Sequence, residues 1–230
     1  MPNKKIILLY ISIIMSLLIF ASGQLSAAGG KIIILIDPAH GGGDQGVKLN
    51  NDVFEKDITL TIALSVKKAL ARENKLELYL TRESDKTVDL EDRKDIIKKI
   101  KPDIVLSLHV NGGLGKEASG FEIYYPEFGA YAGKEKKAAK ENTAQLKSKC
   151  QSNSLKMAKI IQENMNALFP RKGRGLRKAD MPITDDLLVS AVSVEMGFAT
   201  NPEDNKKLLA VNTQTEIAKA LANSIKSFYR

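Results

Sequence analysis

Two histidines occur in the 230 residues, His40 and His109, and each accompanies a run of branched apolar residues: His40 follows IIILIDPA, and His109 lies inside VLSLHVNG. Runs of this length and composition read as buried strands. In open α/β sheets ligands bind beyond the carboxyl ends of the strands, so imidazoles delivered there from two strands can converge on one cation. A lone histidine would read as an ordinary core or surface residue; the pair at matching strand ends reads as metal ligands. The third ligand is Glu55, in the short FEKD segment between a glycine-rich loop and the next helix. By itself Glu55 would pass for an exposed first-turn acid favoured by the helix dipole, and Asp44, Asp52 and Asp57 are nearby substitutes. Two histidines and a carboxylate make a catalytic rather than a structural site, because three protein ligands leave a fourth position for water. One zinc ion is expected, although imidazole and carboxylate also accept other divalent ions.

Such a site needs a base to move a proton from water to the leaving group. Glu195 closes the apolar run AVSV, in a strand where an acid is costly unless it has a partner or a task. The competing reading pairs it with Arg82, Arg93 or Arg174. Asn111, just beyond His109, and Arg174, in GRGLRKAD, are candidates for orienting a substrate. Asn111 equally suits capping the loop after its strand, and Arg174 a solvated surface. Cys150 lies in a Lys-rich helical stretch with no histidine nearby in sequence, which suits an inert thiol rather than a nucleophile.

The elements that must position these residues follow from periodicity. IIILID is a strand opening into the loop DPAHGGGDQG, and DITLTIALSVKKALARE places Ile58, Ile62, Leu64, Val66 and Leu70 at near-helical spacing, with Asp57 as N-cap. A strand at LELYLTR, a helix from about Leu90 to Lys101 stopped by Pro102, and the strand DIVLSLHVN come next. GFEIYY is another strand. From Pro126 to Asn153 the chain is dense in Lys, Ala, Glu and Gln and reads as a solvated helix or a lid. LKMAKIIQENMNALF is an amphipathic helix, GRGLRKAD a turn region, LLVSAVSVEMGF the last strand, and Gln214 to Phe228 a closing helix. Alternating strands and helices predict a single α/β domain, its central sheet of about six strands mostly parallel and flanked by helices.

The first residues differ from the rest. Lys4 and Lys5 precede an uncharged apolar run from Ile6 to Ala21, followed by small residues through Ser26, Ala27 and Ala28. This is the layout of a secretory signal over residues 1–28, with 31–230 as the catalytic domain. An uncleaved anchor is the alternative, since roughly 17–25 apolar residues span a bilayer, and it would be the chain's only membrane contact. Either way the domain is exported, to the periplasm or cell wall, where a single cysteine offers no internal disulfide. With 35 basic against 27 acidic side chains the chain is formally +8, a balance that favours anionic polymers. Nucleic acid is the weaker partner, because no zinc-finger, helix-turn-helix or aromatic-interleaved basic motif appears.

Taken in order, DPAHGGGDQG, FEKDITLTIAL, LYLTR, LEDR, VLSLHVNG, GFEIYY, GRGLRKAD and VEMGFATNPEDNKKL resemble the successive motifs of the zinc-dependent N-acetylmuramoyl-L-alanine amidases of the Amidase_3 family, from Ile32 to the C-terminus. The resemblance implies a peptidoglycan hydrolase that cuts between the lactyl carbonyl of N-acetylmuramic acid and L-alanine. It implies His40, Glu55 and His109 as zinc ligands and Glu195 as the catalytic carboxylate. Some relatives carry a regulatory helix over the zinc where this chain has 126–153, so an activator protein acting on that segment is a further expectation. Ala39 stands where the family usually has glycine before its first histidine. The competing functions are a zinc carboxypeptidase or deacetylase of the envelope, and a wall-binding module without catalysis.

Overall fold

The computed structural model describes residues 30–128, 137–169 and 173–230, with the side chains of 137–141 left aside. Residues 1–28, expected to be a secretory signal, fall outside this range. The elements are β1 (Ile32–Pro38), α1 (Glu55–Leu70), β2 (Leu76–Leu80), α2 (Leu90–Ile100), β3 (Ile104–Asn111), β4 (Phe121–Pro126), α3 (Lys137–Leu168), β5 (Gly173–Ala179), a 3-10 turn (Pro182–Thr184), β6 (Ser190–Phe198), α4 (Pro202–Leu209) and α5 (Val211–Phe228). They build one sheet in the order β2-β1-β3-β6-β4-β5. β2, β1, β3 and β6 are parallel, β4 runs antiparallel to β6, and β5 is parallel to β4. A single α/β domain with a six-stranded, mostly parallel sheet is therefore what the residue pattern predicted.

The two faces of the sheet are covered unequally, and this creates the site. Strand side chains alternate between faces. Ile104, Leu106, Leu108 and Val110 of β3 join the large core with Ile58, Ile62 and Val66 of α1, Met157 and Ile161 of α3, and Leu221 and Ile225 of α5. On the other face Leu35, Val105 and Ala191 pack against Ile97 of α2 with Met181, Ile183 and Val189. That smaller core covers only the early half of the strands. Further along, the same face carries Asp37, Ser107, His109, Ser193 and Glu195, which line an open cleft.

Several boundaries differ from the sequence expectation. Helix α1 begins at Glu55, not after Asp57. Asp57 acts from inside the first turn, its carboxylate accepting the Phe54 N–H at 2.9 Å. Leu64 faces solvent rather than the core. GRGLRKAD is strand β5 rather than a turn, because β4 offers it a free edge to pair with. Helix α4 was not anticipated: Asn201 caps it by accepting the N–H groups of Glu203 and Asp204, and Pro202 starts it. Helix α5 starts at Val211, three residues early.

Two buried arginines fix the loop that carries His40. Arg82, 1% exposed, donates to the carbonyls of Pro38 (3.0 Å), Ala39 (2.9 Å) and Lys56 (2.8 Å), tying the exit of β1 to the first turn of α1. Arg93 on α2 donates to the His40 carbonyl at 2.7 Å and pairs with Asp37. Replacing Arg82 with Ala strands buried carbonyls, each costing about 1–3 kcal/mol. The expected loss is about 3 kcal/mol or more, read as a thermal midpoint lowered by about 6–12 °C.

Candidate metal centre

His40 sits just past β1 with φ 61°, a left-handed conformation that a non-glycine residue adopts only when its surroundings impose it. Here the Arg93 contact to its carbonyl and the following glycines do so. Ala39 is absent from the positive-φ residues, so the alanine in place of glycine imposes no strain. Glu55 is the first residue of α1 and is 2% exposed. Its Oε1 accepts the Val110 N–H at 3.0 Å and its Oε2 the Val47 N–H at 3.1 Å, fixing the carboxylate between β3 and the glycine loop. His109 projects from the end of β3 onto the open face.

These three residues meet. His40 Nε2 lies 3.1 Å from Glu55 Oε2, and His109 Nδ1 lies 3.3 Å from Glu55 Oε1. One candidate ligand atom from each falls within 4.8 Å of the others. The outer ring nitrogens are held as well. His40 Nδ1 faces Asp44 Oδ2 at 2.8 Å; His109 Nε2 faces Ser107 Oγ at 3.0 Å, and that hydroxyl donates to Asp37 Oδ2 at 2.9 Å. Orienting partners of this kind fix the tautomer and aim the inner nitrogens inward, as ligating histidines require. Two imidazoles and a carboxylate, each steadied from behind, fit a divalent cation such as zinc.

Charge in the metal-free protein is shared across the cluster. The hydrogen bond and charge of Glu55 raise His40 to about 9 against the opposing cost of burial. Burial would lift Glu55, but hydrogen bonds from both imidazoles and from Val110 outweigh it and hold the carboxyl near about 2. Glu195 behaves differently. It lies on β6 in register with His109 on one side and Glu122 on the other. Burial raises it to about 7, helped by the charges of Glu55 and Glu122. Its Oε2 is buried without a hydrogen-bond partner among the described residues.

None of the three arginines that could have paired with Glu195 does so. Arg82 holds backbone carbonyls, Arg93 pairs with Asp37, and Arg174 donates its Nε to Glu122 at 2.8 Å. Asn111 also serves Glu122, donating at 3.2 Å, while its Oδ1 accepts the Gly113 N–H at 2.9 Å in the loop beyond the strand. Asp52 is exposed and Asp57 is used as a cap, so neither replaces Glu55. Sequence reasoning passed over Asp37, Ser107, Glu122 and Tyr124. The signal for Asp37 and Glu122 was the one that found Glu195, an acid inside an apolar strand. The cleft has a volume of about 610 Å³, with His40, His109, Glu195 and Tyr124 on its wall. No described residue of 137–153 lines it; Leu146, Cys150 and Asn153 instead border a groove with Pro102 and Phe228, where β3 begins. The described part of that segment does not border the cleft.

Two outcomes follow for the metal-free protein. His40 is raised, so its contribution is complete below about 6.5 and is lost as pH climbs through about 9; Glu55 is depressed, so its contribution is lost only as pH falls below about 4.5 toward 2. In chelator, the thermal midpoint should decline from pH 6.5 to pH 9, and His40→Ala should flatten that decline. Separately, Gly46 has φ +65°, and a Cβ there would stand 2.6 Å from both Glu55 Oε2 and His40 Cδ2. Gly46→Ala should therefore lower metal affinity by at least tenfold in a titration.

Comparison with known proteins identifies the family. The model of the Amidase_3 family, N-acetylmuramoyl-L-alanine amidase, matches residues 34–227. The sporulation-specific N-acetylmuramoyl-L-alanine amidase of Bacillus subtilis is 30% identical over 198 residues, covering 85% of this chain and 68% of that protein. The N-acetylmuramoyl-L-alanine amidase AmiA of Escherichia coli is 27% identical over 225 residues, 88% of this chain and 78% of its own. Among solved structures, the amidase AmiC2 of Nostoc punctiforme superposes with a TM-score of 0.71 at 26% identity, covering 87% of this chain and 99% of that one. With the family model matching residues 34–227 and the fold shared with a solved amidase, the chain belongs to the Amidase_3 family of N-acetylmuramoyl-L-alanine amidases.

Proposed function

We propose that the protein is a zinc-dependent peptidoglycan amidase that hydrolyses the bond between N-acetylmuramic acid and L-alanine, with His40, Glu55 and His109 holding the metal and Glu195 as general base. The observation that carries this reading is one juxtaposition. Three ligand atoms gather within 4.8 Å, and the neighbouring strand offers a buried carboxylate oxygen with no other partner among the described residues. Zinc bound there would supply a Lewis acid that acidifies water and polarises an amide carbonyl.

The protein's own groups do the rest. In the metal-free protein burial raises Glu195 to about 7, the direction that makes a carboxylate a stronger proton acceptor. Its unpartnered Oε2 takes a proton from the attacking water and returns it to the leaving nitrogen, and a partnered carboxylate would have to break a contact first. Ser107 and Asp44 hold the imidazoles so that their inner nitrogens stay aimed at one point. The apolar part of the wall, Val88, Leu90, Met181 and Ile183, gives the substrate a low-dielectric surface beside the reacting amide.

Export by residues 1–28, to the periplasm or cell wall, belongs to the same reading, since the substrate lies outside the cytoplasmic membrane. Among the described residues no helix is long and apolar enough to cross a membrane. An activator working through 126–153 is part of the same reading, and Pro126 at the start of that segment ends the strand carrying Tyr124, a residue of the cleft wall.

The test is to digest purified sacculi with the domain, with and without chelator, and identify the fragments by mass. Peptides with free N-terminal L-alanine and intact glycan strands are expected, and only with metal. Truncated or deacetylated products would point to a carboxypeptidase or deacetylase, and no products to a binding module. Glu195→Gln should keep full metal content while lowering kcat by about 10²–10⁴-fold; His40→Ala should lose both metal and activity.

A further inference from the structure

β5 is the last strand of the sheet, and its pairing with β4 contains an irregularity. Phe121 pairs with Gly173, but two residues later Ile123 pairs with Leu176, so β5 carries one extra residue. Gly175, inside the irregularity, has φ +92°, which suits glycine. In a regular strand residues three apart face opposite sides. The bulge cancels that alternation and turns Arg174 and Arg177 to the same face, where both reach one carboxylate. Glu122 Oε1 accepts from Arg174 Nε at 2.8 Å and lies 3.4 Å from Arg177 Nη2. Bulges in parallel pairs are rare and re-aim side chains beside functional sites.

Glu122 cannot act on a ligand itself. Its side chain is 4% exposed, and its Oε2 accepts from Tyr124 at 2.8 Å and Asn111 at 3.2 Å. The two guanidinium groups are in the opposite position, 40% and 49% exposed. Each has five N–H donors in a fixed fork, and Glu122 engages one side of each. Arg174 is further steadied over the Phe198 ring at 5.3 Å. One buried negative charge thus holds two half-exposed positive ones, leaving a surplus cation with planar donors toward solvent. Tyr124, which lines the cleft, is in register with Arg177.

We propose that Arg174 and Arg177, held side by side by Glu122, form a subsite for a carboxylate of the peptide whose amide is cut in the cleft. This rests on the amidase reading above. Glu122 lies one strand from Glu195 and draws both guanidinium groups back toward it, so the pair stands one to two strand spacings, about 5–10 Å, from the catalytic carboxylate. An extended peptide covers roughly 3.3–3.6 Å per residue. The carboxylate recognised therefore sits within about three residues of the scissile bond. Guanidinium forks suit planar carboxylates through paired hydrogen bonds, which a lysine cannot reproduce.

A carboxylate at that distance comes either from an acidic residue inside the peptide or from its free C-terminus. The test uses N-acetylmuramoyl peptides in three forms: unmodified, amidated at the internal acid, and amidated at the C-terminus. With the zinc-loaded domain, one amidation should raise KM about tenfold with kcat little changed, and which one does so identifies the source. Arg177→Gln and Arg174→Gln should each erase the difference between the substrates, and Arg177→Lys should restore it only in part. Equal KM for all three forms with the unsubstituted protein overturns the subsite. Calorimetric binding of the free peptides needs no turnover and makes the same comparison. A binding difference without cleavage of any substrate would sink the amidase reading and leave the subsite standing; binding indifferent to amidation would sink the subsite.

Discussion

The site depends on the Glu55 carboxylate being held between two backbone N–H groups from different parts of the chain, Val47 in the glycine loop and Val110 at the end of β3. Each contact orients one oxygen toward one imidazole. A buried carboxylate is costly unless fully hydrogen-bonded, and here both oxygens are satisfied before any cation arrives. The same contacts lock the loop to the sheet. The candidate metal ligands are thus placed by backbone geometry, which helps explain why Gly46 has no room for a side chain.

Around that point the domain divides its sheet between stability and chemistry. One face is covered by α1, α3, α4 and α5 and supplies most of the buried apolar surface. The other is capped only over its first half, by α2 and the segment from Met181 to Val189. The uncovered half presents polar residues from four neighbouring strands in register: Asp37, then Ser107 and His109, then Ser193 and Glu195, then Glu122 and Tyr124. Side chains on a sheet face have fixed spacing, so a site built there is more rigid than one assembled from loops alone.

The buried acids of this face differ in how fully their neighbours engage them. Asp37 is matched by Arg93, Thr81 and Ser107, and Glu122 by two arginines, a tyrosine and an asparagine. Both are fully engaged. Glu195 stands between His109 and Glu122 with one oxygen unengaged among the described residues, and burial rather than a cation governs its titration. Perturbed carboxyls facing a cleft are where proton transfer is found.

Much of this was legible in the residues. Continuous Ile and Val runs announce parallel strands because both faces of such strands are buried, and an acid or histidine at the end of such a run stands out against that background. His40, His109 and Glu195 could be picked this way, with Glu55 as the nearby third ligand that the two histidines call for, and the α/β class followed from the same runs. The sequence alone could not separate Glu195 as a base from Glu195 as a salt-bridge partner, nor tell that GRGLRKAD forms a strand, because both depend on which neighbours the sheet order supplies. Only the tertiary structure sent Arg82, Arg93 and Arg174 elsewhere, converted Arg174 and Arg177 from opposite faces to one, and directed the described part of 137–153 away from the cleft. Local patterns record burial and periodicity, which each residue carries with it; pairings between distant strands are decided by packing, and no single stretch of chain contains that information.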